Sequence, residues 1–423
     1  MSSNKIKISA LGGSGENGRN CFIIETIDGA ILLDCGVKRE KKGQQVGFYP
    51  SLTAELVSRI KAVFLSHCHE DHTAALPLLY QLGYKGAVYA SAETIEATPA
   101  FIKKWMRYVQ KNNGELPFTN EMVDQIEYHA LKLGPNNVEG ISLTTGRSGH
   151  VLGGMWYVFN FGGKRVLYTG DITLDAAILE MDIPPECDIA IMNCAYAGKQ
   201  INQKQQYAAL LASIQAALAQ GGKVLLPLPP KGRGIDLYLY LKEYLQNTVI
   251  YVEKSIVQNC EALLQKKQWI KSGIGNNQGA GNNVIIVEND EQRHSASNIP
   301  EGAVYLVTDG MLTTADGLYY FNRIKSDSSN KVIITGHAAE GTTGALIFDK
   351  EYCATNGIAL TAEKIIFKVH LDDSDIMALN EKVKAKTIVL FHSNEENNRN
   401  LYHSMSSVGV NAMTLAYPNF ITV

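Results

Sequence analysis

No stretch constrains this chain more than His67-Cys68-His69-Glu70-Asp71-His72. Ahead of it, Ala62 to Leu65 is an apolar run that reads as a short buried strand. Residues at i and i+2 of an extended segment project to one side, so His67 and His69 can grip one ion. Asp71 and His72 fall just past the strand end, where a turn can aim them at a second ion. The run Ala74 to Leu79 then starts a helix that would hold the loop against a core. Solvated loop residues would explain one such side chain; four ligand-type groups at this spacing point to a metal site.

Length and charge narrow the rest. At 423 residues the chain has room for about two domains. Its 45% hydrophobic and 19% charged residues belong to an ordinary globular protein. No run approaches the roughly 20 apolar residues of a membrane helix, and the N-terminus lacks the apolar centre of a signal peptide. Seven scattered Cys, none in a paired motif, fit a reducing cytoplasm, the expected location. A formal charge of −3 provides no global basic field, so any nucleic-acid role must rest on a local surface and on metal charge.

Taken in order, residues 5–11 alternate as a half-buried strand does. Gly12-Gly13-Ser14-Gly15 follows, joining strand to strand, which argues against a dinucleotide fingerprint and for a tight turn lining the site. Asp34 ends the strand Ala30 to Leu33, where it would orient metal ligands by hydrogen bonds. Residues 92–131 look helical, and Lys103 to Tyr108 mix basic and aromatic side chains; a solvated basic face is the plainer reading beside nucleic-acid contact. His150 stands in a Gly-rich loop, and Asp171 ends the strand Arg165 to Tyr168, where a carboxylate can bridge two ions. Asn193 ends a buried strand over 188–192.

From about residue 197, strand, turn and helix alternate, which implies a parallel sheet covered by helices. A Gly/Asn-rich stretch, 272–283, reads as a surface loop. After about 350, the apolar runs Ile365 to Val369 and Thr387 to Phe391 read as strands ending at His370 and His392. Six of the ten His (67, 69, 72, 150, 370, 392) therefore fall at or just past expected strand ends, where structural His residues would scatter.

This set resembles the β-CASP branch of the metallo-β-lactamase superfamily, RNA-processing nucleases that include cleavage-and-polyadenylation endonucleases and ribonuclease J. The superfamily marks are Leu33-Asp34-Cys35-Gly36, the His67–His72 motif, Ser148 to Gly153 and Tyr168 to Asp171. More specific to the branch are Val224 to Pro227 with Gly232-Arg233, Asp309 to Leu312, and Thr335 to Thr342 with His337. His370 and His392 match its two late histidines. The resemblance implies an α/β fold, an αββα metallo-β-lactamase sandwich (1–196 and 351–423) carrying an inserted α/β cap (197–350).

It implies further that one zinc is held by His67, His69, His150 and Asp171, and a second by Asp71, His72, the shared Asp171 and His392. Two such ions would share a hydroxide that attacks a phosphodiester of single-stranded RNA. Manganese stays open as the metal, and a homodimer as the assembly. His370 would protonate the departing oxygen or hold the phosphate, with Asp71 and the group at 193 in the catalytic set. Ser374, Lys231, Arg233 and His337 are weaker candidates for gripping the substrate strand, in a groove between sandwich and cap.

Departures are informative. At 193 the branch normally carries an acid that pairs with the late His; here an amide stands, with Asp372 and Asp373 nearby as substitutes. Ser393-Asn394 replaces a usual Gly-Glu, and Pro229-Pro230-Lys231 alters the loop before Gly232. The chain ends soon after His392, as expected of the compact cleavage-factor-like subgroup. Two other readings use the same residues: a hydrolase of another ester, and a weakly active RNA-binding paralogue.

Overall fold

A computed structural model describes residues 5–274, 283–299 and 302–422. The Gly/Asn-rich loop expected over 272–283 lies largely outside them. The chain divides into two compact units, residues 1–200 with 369–423, and residues 201–368.

The first unit holds two seven-stranded sheets. One orders as Phe420–Thr422, Lys7–Gly12, Cys21–Thr26, Gly29–Leu33, Ile60–Phe64, Val88–Ala90 and Tyr128–Ala130. The other orders as Gly134–Val138, Ile141–Arg147, Met155–Phe161, Lys164–Tyr168, Ile189–Asn193, Thr387–Phe391 and Asn411–Met413. The alternation of strand residues decides which face meets what. Along Cys21–Thr26, Cys21 and Ile23 join the layer beneath helix Ala92–Lys111. Phe22 points the other way, its ring 5.9 Å from Tyr168 and 5.3 Å from Phe391 of the second sheet. Phe64 likewise meets Phe159 at 5.0 Å. The outer face of the second sheet is covered by helices Asp373–Val383 and Glu395–Ser407, through Ile376, Leu379, Leu401 and Met405. Helix, sheet, sheet, helix is thus the layer order.

The second unit is one six-stranded, all-parallel sheet, ordered Val284–Val287, Ile250–Glu253, Val304–Thr308, Val224–Leu228, Lys331–Ile334 and Thr361–Lys364. Its central strand, Val224–Leu228, is buried along its whole length, as a strand covered on both faces must be. Because Thr361–Lys364 adds to this sheet, the unit runs to Lys368 rather than to residue 350.

Two expected elements differ. Helix Ala92–Lys111 ends with Asn112 as its C-cap, and Tyr128–Ala130 is an edge strand, not helix. Its three residues pair with Val88–Ala90, and that ladder outweighs a local helical pattern. Residues 365–369 form no strand: the ladder ends at Lys364, and His370 sits on the irregular link that follows.

Candidate metal centre

Strand ends build the site. Ile60–Phe64 lies parallel to Gly29–Leu33, which brings the loop after Phe64 beside Asp34. Asp34 adopts φ 57°, a left-handed backbone that Asp tolerates better than most residues. Its buried carboxylate accepts from Ser66 N (2.6 Å), Ser66 Oγ (2.7 Å) and Tyr168 Oη (2.5 Å), and meets His72 Nδ1 at 2.6 Å. His72 is thereby fixed with Nε2 aimed at the cluster. His150 is set in the same way, its Nδ1 donating to the Val369 carbonyl at 2.8 Å.

Two groups of donor atoms converge, each with its atoms within 4.8 Å of one another: His67, His69, His150 and Asp171, and Asp71, His72 and His392. Asp171 stands between the groups. Its Oδ2 lies 3.7 Å from His67 Nε2, 3.6 Å from His150 Nε2 and 3.7 Å from His392 Nε2. Its Oδ1 lies 3.3 Å from His72 Nε2. A tetrahedral ion with bonds of about 2.0–2.1 Å holds its ligand atoms roughly 3.3–3.4 Å apart. The donor set and its spacing fit an ion in each group. So does the proximity of His67 Nε2 and His69 Nδ1, 2.9 Å apart, where two imidazoles present nitrogen to nitrogen.

Electrostatics point the same way. Burial first, then mutual repulsion, holds His67 well below its ordinary pKa and brings His69 down to about 4, so both stay neutral, as ligands must. Burial alone would raise Asp171, but His72, His392 and His370 hold it well below the usual carboxylate range. His72 is the exception: burial disfavours its charged form, yet the carboxylates of Asp171, Asp71 and Asp34 outweigh burial and raise its pKa, so it would give up a proton on binding an ion.

The Gly-rich loop after the first strand supports the rim. Gly13 has φ 87° and its carbonyl accepts from His392 N at 2.8 Å; a Cβ there would stand 2.4 Å from Asn20 Oδ1. Ser14–Gly15 pairs with Ser393–Asn394, and Ser14 Oγ donates to the Leu390 carbonyl at 2.7 Å. This clamp holds His392 at φ 70°, a conformation a His adopts only where its surroundings impose it. Ser393, found where Gly is usual, therefore sits inside a short ladder.

Position 193 departs from expectation. Asn193 does not orient His370; its Nδ2 donates to Asp171 Oδ1 at 2.7 Å, while its Oδ1 accepts from Ala195 N at 3.2 Å. An acid there would set a second carboxylate against Asp171, and the amide supplies a donor instead. Asp372 and Asp373 are engaged elsewhere: Asp372 caps helix Asp373–Val383 and accepts from Ser374 Oγ, and Asp373 accepts from Gly198 N. His370 is partly buried, and its buried Nδ1 lacks a hydrogen-bond partner among the described residues, 3.6 Å from Asp171 Oδ2. Its ring lies 4.7 Å from that of His150 and 5.4 Å from that of Tyr196.

Asn20, Ser66 and Tyr168 carry weight that their types did not announce. Asn20 Nδ2 reaches His72 Nε2 at 2.9 Å and Asp71 Oδ2 at 3.4 Å. Gly18-Arg19-Asn20 stands beside the loop, but an Asn after Gly reads as turn chemistry from sequence. Lys231, Arg233 and His337 belong to the second unit. There the Arg233 guanidinium packs against Gly336, where a Cβ would stand 2.2 Å from Nη2.

Comparison with known proteins agrees with this geometry. The metallo-beta-lactamase superfamily model matches residues 14–222, and the Beta-Casp domain model matches 235–347. The chain belongs to the β-CASP branch of the metallo-β-lactamase superfamily. That membership implies metal binding, and the protein carries a His/Asp cluster of ligand type. Transcription termination factor FttA of Methanothermobacter thermautotrophicus is 28% identical over 81% of this chain and 57% of its own length. Endoribonuclease YSH1 of Candida albicans is 26% identical over 91% and 48%, and Probable RNase MJ4 of Methanocaldococcus jannaschii 26% over 91% and 92%. The chain thus spans about half the length of the first two. A protein of unknown function from Enterococcus faecalis V583 shares the fold, with a TM-score of 0.62 at 13% identity over 99% of this chain and 100% of that one.

Proposed function

We propose that this β-CASP protein is a metal-dependent ribonuclease that hydrolyses phosphodiester bonds of single-stranded RNA. The observation that carries the reading is Asp171, whose two carboxylate oxygens face two separate donor groups at ligand spacing. His67, His69, His150 and Asp171 would hold one zinc, and Asp71, His72, His392 and the shared Asp171 the other. Bound there, the ions would lower the pKa of water to about 7 and offset charge on phosphate oxygens.

The chain's own residues do the rest. Asp34 fixes the His72 ring through Nδ1, and the Val369 carbonyl fixes His150, so both present Nε2 inward. Asn193 holds the Asp171 carboxylate in place through Nδ2, so that it could serve both ions. His370, beside the cluster with an unpartnered buried nitrogen, is placed to donate a proton to a departing oxygen or to bind the phosphate. The names of an endoribonuclease and a probable RNase among the relatives support RNA as the substrate class. No helix among the described residues is long and apolar enough to cross a membrane, which is compatible with action in the cytoplasm.

The test is cleavage of end-labelled single-stranded RNA by zinc-loaded native protein and by His370→Ala. Native cleavage with a strongly slowed His370→Ala that keeps its metal supports the reading. Equal rates would remove His370 from the mechanism, and no native cleavage with metal in place would remove the nuclease.

A further inference from the structure

We propose that the exposed face of helix Ala92–Lys111 is a tract that carries the backbone of single-stranded RNA away from the metal centre, an inference that rests on the ribonuclease reading. The helix is amphipathic. Ile102, Trp105, Met106 and Val109 are buried beneath it, while Lys103, Lys104, Arg107 and Lys111 are exposed. Lys103, Arg107 and Lys111 follow one another at i, i+4 and i+8, so they line one stripe. Every exposed charge from residue 100 to 111 is positive.

Such a stripe is not accounted for by helix stability. Like charges four residues apart destabilise a helix, and the favourable end effect of a cation reaches only the last turn, where Lys111 alone sits. An anion lying along the stripe would reverse the cost. Lys104, one turn past Phe101 and beside Arg107 at i+3, links the stripe to the site. Phe101 packs its ring 5.5 Å from that of His69, and the Lys104 ammonium stands 6.0 Å from the Phe101 ring centroid. From Phe101 to Lys111 the helix advances about 15 Å, enough for several phosphates. Three regularly spaced cations, joined through Lys104 to a ring beside the site, match a phosphodiester chain with an unstacked base. In a chain of net charge −3, a local tract of this kind is what RNA affinity would require.

The experiment uses the full metal-loaded chain and labelled oligouridylates, one short enough to reach only the histidine cluster and one longer. Binding is read by anisotropy across a salt series, early enough that cleavage is negligible. Three proteins are compared: native, Lys103→Ala/Arg107→Ala/Lys111→Ala, and Lys85→Ala/Lys132→Ala/Lys164→Ala, which removes the same charge from exposed positions elsewhere in the first unit. Losing three phosphate contacts should flatten the log–log salt dependence for the longer RNA by about 2. The short RNA should bind and be cut as before, and the control triple should match native. An unchanged slope, an equal loss on both RNAs, or the same loss in the control would overturn the tract while leaving the nuclease standing. A native chain that neither binds nor cuts either RNA would instead overturn the nuclease reading, and the tract with it.

Discussion

The two units bury polar groups in opposite ways. The first packs His67, His72, Asp34, Asp171 and Asn193 at 0–2% exposure into one pocket. The second builds its parallel sheet on Leu225, Tyr305, Val307, Val332 and Ile334, and among the described residues it holds no group of three potential ligands within reach of one another. Bringing carboxylates and imidazoles out of water is costly unless they are paired or bind a cation. A fold selected for stability alone would have built the first unit like the second. The contrast accords with a metal centre in the first unit, where both donor groups lie.

The largest effect that would sharpen this contrast is expected of Asp171→Ala. It removes the one carboxylate that faces both donor groups, so metal content by mass spectrometry should fall and RNA cleavage should drop by about 10³-fold or more. Metal retained at the native level would break the assignment.

Next comes a pair of glycine substitutions. A Cβ on Gly36 would stand 1.6 Å from the Asp71 carbonyl oxygen, which is backbone beneath the site. On Gly336 it would meet the end of the Arg233 side chain, which can move aside. Gly36→Ala should therefore cost 3 kcal/mol or more, on the order of the largest overpacking penalties, and Gly336→Ala about 1 kcal/mol. Urea denaturation of the two variants reads this directly, and a costlier Gly336→Ala would contradict the ranking.

Smaller effects follow from the groups behind the ligands. Asp34→Asn weakens the hold on His72 and should lower metal affinity about 10–100-fold in a competition titration. Asn193→Glu replaces the donor to Asp171 with a second carboxylate, and reduced metal retention is expected. If it instead raised cleavage strongly from near zero, the native chain would be the weakly active paralogue.

The smallest concerns Asp236 of the second unit, where burial raises the carboxyl pKa to about 7 against opposing Lys271 and Arg233. The folded state then keeps a proton that the unfolded chain releases near 3.8. Stability contributed by this group is lost as pH rises from about 4 to 7, and the full penalty stands above 7. Asp236→Asn should raise the melting temperature by a few degrees at pH 8 and leave it nearly unchanged at pH 4.

Much of the site was legible because ligand-type residues cluster at strand ends. The pattern needed for His67 to His72, His150, Asp171 and His392 is local: an apolar run, then a His or Asp. What the sequence hid depends on partners far along the chain. Asn193 meets Asp171 across neighbouring parallel strands, a contact that depends on register. Asn20 reaches Asp71 and His72 from 51 and 52 positions away. Tyr128–Ala130 looked helical by composition and became strand because an edge was open to it. The two sheets of the αββα sandwich were reachable only through the resemblance, since strand periodicity alone does not say which sheet a strand joins.

The most direct test of a two-ion ribonuclease is end-labelled single-stranded RNA incubated with zinc-loaded native protein, Asp71→Ala and His392→Ala, with metal content measured on each. Cleavage by the native chain alone, with about two zincs bound and fewer in both variants, is the expected result. Equal behaviour of all three, with zinc verified in the native protein, would contradict it.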